Sequence, residues 1–196
     1  MRLDPGRTLF EQGDEAGSVY NVTAGTVRLS RMLADGRRQI MGFMLPGDFI
    51  GLSSRAVHPY SAEAVVPSRL CRFNAAALRQ IAERMPHLEH ELFARARDEL
   101  DAAHDQIMLL GRKSPREKVA TFLLDLARRG ERWGQPSDRV RLEMTRADVG
   151  DYLGLTLETV SRTLNRMKRE GIVALPSAAE VVFLQADVIR GLAERD

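Results

Sequence analysis

Short apolar runs alternate with turn residues over the first third of the chain. Gly13, Gly25, Gly36 and Gly47 fall 12, 11 and 11 residues apart, with runs such as SVYNV, TVRLS and QIMGFML between them. Several short strands at this spacing predict an antiparallel β-sandwich or barrel, with glycine at the tight turns. Asp35-Gly36 is a hairpin signal between VRLSRML and RQIMGFM. From Ala75 the apolar period lengthens. NAAALRQIAERM predicts a helix that stops at Met85, ahead of Pro86. PHLEHELFARARDELDAAHDQIMLLG then predicts one long helix of about 25 residues, roughly 38 Å. Its apolar seam is Phe93, Ala96, Leu100, Ala103, Ile107 and Leu110, at steps of 3, 4, 3, 4 and 3. That is the a/d repeat of a helix lying on another helix. The partner is either a helix of the same chain or a twofold-related copy, and twofold dimers are the commonest oligomers. Ala96 and Ala103 are small enough for close approach.

The last third returns to short elements. SPREKVATFLLDLARRG predicts an amphipathic helix with Ser114 as N-cap, Pro115 at N1, Glu117 at N3 and Gly130 as its stop. ERWGQPSD reads as a loop and RVRLEM as a short strand. In TRADVGDYLGLTLETVSRTLNRMKREG, Thr145 and Asp148 form a capping box, Gly154-Leu155-Thr156 forms a tight turn, and Thr156 caps a second helix. Leu157, Val160, Leu164 and Met167 predict the buried side of that helix, and Gly171 ends it. IVALPSAAEVVFL then predicts two strands around a turn, a wing beside the second helix.

Composition and charge narrow what these elements do. Of the 196 residues, 44% are hydrophobic and 29% charged, as in an ordinary globular protein. The net charge is only +2, so bulk charge gives no argument for nucleic acid. Its distribution does. From Arg112 to Ile172 there are 14 Lys/Arg against 9 Asp/Glu, with Arg162, Arg166, Lys168 and Arg169 close together. A basic patch on a near-neutral chain suits a protein that meets phosphate with one end. No apolar run is long enough for a membrane span, and MRLDPGRTLF lacks the apolar stretch of a signal peptide, so a cytoplasmic location is expected. The single cysteine, Cys71, excludes an internal disulfide.

Glu158, Ser161, Arg162, Asn165 and Arg166 share one stripe of the second helix, at i, i+3, i+4, i+7 and i+8. Their donors and acceptors match base edges in the DNA major groove. The same stripe is also what a solvated helix face with a Glu158–Arg162 ion pair looks like. A module that docks on another protein is a rival reading, which a sequence-dependent DNA affinity with a steep salt slope excludes. An enzyme is not expected, because no acid/base pair, activated nucleophile or phosphate-cradling glycine loop stands out.

These residues resemble the CRP/FNR superfamily of bacterial transcription regulators, in its FNR/FixK branch. GDEAGSVYNVTAGTVRL and GDFIGL are similar to that family's β-roll, and TRADVGDYLGLTLETVSR to its winged helix-turn-helix. The resemblance implies an α+β chain in three parts. Residues 1–85 form a cyclic-nucleotide-binding-like β-roll, 86–111 a dimerisation helix, and 112–196 a winged helix-turn-helix. It implies a homodimer reading a palindrome of TTGAT half-sites and presenting its β-roll to RNA polymerase. By the ExxSR motif, Arg162 would bond a guanine, Glu158 an exocyclic amine, and Ser161 would approach a thymine. Thr156, Asn165, Arg166, Lys168 and Arg169 would be further DNA contacts, with Lys113, Ser114 and Arg116 weaker backbone candidates. Leu157 stands where the catabolite-activator branch carries Arg, which argues against that branch's site.

The resemblance also frames the effector. Cyclic-nucleotide binders of the superfamily carry a Glu after GDFIG and an Arg-Ser/Thr pair for the phosphate. Here Gly51-Leu52-Ser53 and Tyr60-Ser61-Ala62 stand in those places, so cyclic AMP dependence is not expected. Arg55 is read as a surface residue. Cys71 falls where FNR has the last of four iron–sulfur ligands. The other three would lie upstream of Met1, so no cofactor is expected in the chain as given. Either the protein is a short FixK-like form, or its N-terminus as given lacks those cysteines. Cys71 is otherwise read as a buried small hydrophobe or a redox-modified residue. Among His58, His87, His90 and His104, the pair His87/His90 has a metal-capable spacing but reads as a solvated face. An effector- or redox-gated regulator with an unidentified β-roll ligand is the alternative.

Overall fold

The structure is a computed structural model that describes residues 1–52 and 55–194. Ser53, part of the expected effector loop, lies outside the described residues. Two compact units are present, Met1–His104 and Asp105–Asp196.

The first unit begins with eight strands: β1 (Arg2–Leu3), β2 (Thr8–Phe10), β3 (Ser18–Ala24), β4 (Val27–Met32), β5 (Arg38–Met44), β6 (Phe49–Ile50), β7 (Ser61–Ala64) and β8 (Ser68–Asn74). They form two four-stranded antiparallel sheets, ordered β1-β8-β3-β6 and β2-β7-β4-β5. Alternate residues of both sheets meet in one core of Phe10, Tyr20, Val22, Val27, Leu29, Ile50, Ala62 and Leu70. The expected hairpin forms: β4 pairs with β5 from Val27↔Met44 to Met32↔Arg38, across Asp35-Gly36. Cys71 corrects the sequence reading. It is exposed, because its neighbour Leu70 points into the core and successive strand residues face opposite ways.

Helix α1 (Ala75–Arg84) follows, its N-cap Asn74 accepting from the Ala77 amide. Helix α2 spans Pro86–Arg112 without a break. Five of its seam residues, Phe93, Ala96, Leu100, Ala103 and Ile107, are exposed. Leu110 differs. It is half-buried, with a methyl carbon 3.4 Å from where a Cβ on Gly154 would stand.

The second unit contains α3 (Pro115–Glu131), β9 (Arg139–Arg141), α4 (Arg146–Leu153), α5 (Leu157–Arg169), β10 (Val173–Ser177), β11 (Glu180–Phe183) and α6 (Ala186–Ala193). The strands form a sheet ordered β10-β11-β9. Val119, Leu123, Val149, Leu153, Val160, Leu164, Met167, Val181 and Ile189 fill its core. Three sequence expectations change here. Gly130 lies inside α3, which runs on to Glu131. Leu157, at the first position of α5 beside the turn, is 45% exposed, so the buried stripe starts at Val160. Helix α6, buried through Ile189, Leu192 and Ala193, was not anticipated.

Candidate nucleic-acid interface

The helix pair α4–α5 is fixed first by its caps. The Thr145 hydroxyl accepts from the Asp148 amide (3.1 Å), and the Asp148 carboxylate accepts from the Thr145 amide (3.1 Å) and hydroxyl (2.8 Å). Asp148 is only 2% exposed, so these bonds satisfy a charge taken out of water. At the other end of α4, Gly154 adopts φ 63°, the left-handed region that L side chains avoid. Gly150 matters through close approach: a Cβ there would lie 2.6 Å from the Leu155 carbonyl oxygen. The two glycines let the chain fold back within one turn. Thr156 then caps α5 by accepting from the Thr159 amide (3.2 Å).

Scaffold contacts brace this pair from behind. Lys118 is buried in α3, and its Nζ donates to the Leu153 carbonyl at the end of α4 (3.1 Å). A cation at that end is favoured by the helix dipole, while burial lowers the lysine pKa. Gln106 donates to the Tyr152 carbonyl (2.9 Å), and Tyr152 packs its ring on Phe122 at 5.6 Å. Burial pushes the Tyr152 phenol up to about 12. Lys113 donates to the Ala193 carbonyl of α6 and to the Thr121 hydroxyl, so it braces the unit internally. The wing is tied in as well, since Arg146 at the start of α4 donates to the Ala178 carbonyl at the β10–β11 turn (3.1 Å).

Helix α5 presents the predicted stripe to solvent. Glu158, Arg162, Asn165, Arg166, Lys168 and Arg169 are exposed, and Ser161 is half-buried. The first-turn amide of Glu158 and the Thr156 hydroxyl, helped by Arg162, hold the Glu158 carboxyl below its usual range. It therefore stays an acceptor. Arg162 donates to the Thr159 hydroxyl (3.4 Å), and no Glu158–Arg162 ion pair forms among the described residues. That leaves both side chains directed outward with most of their bonding capacity unspent. Arg166 is engaged, donating through Nε to Glu170 (2.9 Å). Arg116 also pairs with Glu170 (2.6 Å). Sequence reasoning missed Glu170 and Arg146. The Arg166–Glu170 spacing of i,i+4 was a legible signal, whereas nothing local links Arg116 to Glu170 or Arg146 to Ala178.

The effector positions are arranged differently. His58, 2% exposed, stacks on Phe10 with ring centroids 3.5 Å apart, and desolvation lowers its pKa. Tyr60 packs against the same core. Glu99 of α2 has its carboxyl pushed up by burial and by the neighbouring Asp48. His87, His90 and His104 are exposed on α2. Among the described residues, no three His, Cys, Asp or Glu come together to hold a metal ion. With Cys71 the chain's single cysteine, these residues do not supply a four-cysteine cluster site.

Comparison with known proteins adds to this geometry. A cyclic nucleotide-binding domain matches residues 1–85, and a Crp-like helix-turn-helix domain matches residues 117–189. The nitrogen fixation regulation protein FixK of Bradyrhizobium diazoefficiens is 45% identical over 175 residues, covering 89% of this chain and 74% of that protein. The transcriptional activator protein FnrL of Cereibacter sphaeroides is 38% identical, covering 90% and 73%. The solved structure of FixK2 from Bradyrhizobium japonicum superposes with a TM-score of 0.93 at 36% identity, over 100% of this chain and 97% of that one.

Proposed function

The chain belongs to the CRP/FNR family of transcription regulators, and from that premise we propose that it is a homodimeric, sequence-specific regulator reading an FNR-type palindrome of TTGAT half-sites. The observation that carries this reading is the α5 surface. Glu158, Ser161 and Arg162 lie on the N-terminal half of a capped helix, with Glu158 held ionised and Arg162 exposed. In this reading Arg162 bonds guanine, Glu158 accepts from an exocyclic amine and Ser161 approaches a thymine. Thr156, Asn165, Arg166, Lys168 and Arg169 add contacts nearer the backbone.

The dimer forms through α2, where Phe93, Leu100 and Ile107 are 62, 56 and 66% exposed at successive heptad positions. Three large apolar residues on one stripe of a helix favour a helical partner over water. The DNA-binding part is residues 112–196, the dimerisation helix 86–111, and the β-roll, 1–85, offers its surface to RNA polymerase. No helix among the described residues is long and apolar enough to cross a membrane; as a transcription regulator in this reading, the protein acts in the cytoplasm. In this reading DNA binding needs no cyclic AMP.

Fluorescence anisotropy of the purified protein, in air and without effector, on a TTGAT-N4-ATCAA duplex and a scrambled control tests this. Tight binding confined to the palindrome is the expected result. Equal, weak binding to both would reject an autonomous regulator of this specificity.

A further inference from the structure

The carboxylate of Glu170 is held by two arginines from different elements. Its Oε2 lies 2.6 Å from Arg116 Nη2 on α3, and its Oε1 lies 2.9 Å from Arg166 Nε on α5. Each oxygen takes one guanidinium, so the pair forms a two-armed anion cradle. The cradle opens onto a cleft of about 660 Å³ lined by Ser114, Arg116, Thr159, Arg162, Arg166 and Arg169. Four arginines therefore surround one cleft. The Arg116 Nε is buried with no hydrogen-bond partner, so that guanidinium keeps donor capacity beyond its bond to Glu170. The Arg166 side chain is 65% exposed, while those of Glu170 and Arg116 are 33% and 32% exposed. The two arginines pull the Glu170 carboxyl below its usual range, so it stays charged at neutral pH.

An anion between arginines beside Arg162 has the chemistry of a DNA phosphate, with negative oxygens accepting from guanidinium N–H groups. We propose that Glu170 is a resident stand-in for a backbone phosphate, occupying the Arg116–Arg166 cradle in the free protein and giving it up when DNA binds. This rests on the DNA-binding reading above. Its consequence is an affinity brake. Each binding event exchanges an internal carboxylate for a phosphate, so two cations that would otherwise add fully to binding contribute only their surplus. The brake acts through backbone contacts, so it weakens all sequences alike.

Glu170→Gln keeps the shape and removes the charge. It should tighten binding by about three- to tenfold at low salt on both the TTGAT palindrome and the scrambled duplex, and steepen the log K against log salt slope by about one per phosphate newly neutralised. Glu170→Ser, with no chain long enough to reach Arg116, should give the same gain, which guards against a fault peculiar to Gln. The Arg116→Gln/Glu170→Gln double variant should lose most of that gain. Glu131→Gln, which removes an exposed carboxylate at the far end of α3, should change neither affinity nor slope. Binding of Glu170→Gln within twofold of the unaltered protein on both duplexes would overturn the proposal. So would a loss confined to the palindrome, which would make Glu170 a positioning residue for Arg166 in base reading. Scrambled DNA reports on the cradle even if TTGAT is the wrong half-site, so the two readings fail separately.

Discussion

The β-roll and the winged unit put their buried charge to different uses. The β-roll places its Arg28–Glu63 pair (2.7 Å) with side chains only 17% and 28% exposed, and packs a neutral-leaning histidine on Phe10 in its core. The winged unit sets Arg162, Arg166, Lys168 and Arg169 on the outside of one helix, and uses its buried charges, Lys118 and Asp148, to hold that helix pair in shape. The half-buried pair of the β-roll lies within its sheet, whereas the buried charges of the winged unit hold exposed charges in position. The two units should therefore respond to different perturbations, and each of the following changes should affect one and spare the other.

The largest effect is expected from Arg162→Ala. Losing a base contact should cost about 1–3 kcal/mol of discrimination on the TTGAT duplex, with little change on scrambled DNA and none in thermal stability. Anisotropy on both duplexes measures it; equal losses on the two would assign Arg162 to phosphate. Next is Lys118→Met, which leaves the buried Leu153 carbonyl unpaired. A loss of about 1–3 kcal/mol is expected. It should be visible in urea unfolding followed by Trp133, the single tryptophan, which lies in the winged unit. An unchanged Trp133 midpoint would mean that the α3–α4 brace is dispensable. Thr145→Ala should lower the same transition by about 1 kcal/mol through the lost cap.

The smallest effect belongs to the β-roll. Burial depresses the His58 pKa below the ordinary 6.5, so the unfolded chain takes up the proton first. The stability contribution is therefore present above that ordinary value and is lost as pH falls below it toward the folded value. Acid should loosen the β-roll before the winged unit, and His58→Phe should flatten the pH dependence of the unfolding midpoint below about pH 6.5. A slope unchanged by the substitution would mean that His58 does not carry the acid sensitivity of the β-roll.

What could be read in the sequence was what is decided within a few residues. The capping boxes at Ser114/Glu117 and Thr145/Asp148 need partners three positions apart, and they form as the sequence predicts. The β4–β5 hairpin follows from Asp35-Gly36 and its flanking alternation. The stripe on α5 follows from helical period alone. Cys71 was legible in principle, because placing Leu70 inward sends it outward, but the strand's inward face had to be known first. Leu157 fits the apolar spacing, yet at the first position of α5 it stays 45% exposed. The Arg116–Glu170 pair spans 54 residues and exists only because α3 and α5 pack together. Helix α6 carries its apolar positions in a short C-terminal segment that periodicity alone did not separate from a tail.

The exposed heptad stripe on α2 has a further consequence for how such a protein is controlled. If only the paired form grips a palindrome, promoter occupancy at low protein levels rises with the square of the number of chains. Halving the supply of the protein then cuts occupancy about fourfold. A cell could govern this protein's genes through synthesis and degradation of the chain alone, with Phe93, Leu100 and Ile107 converting abundance into a threshold.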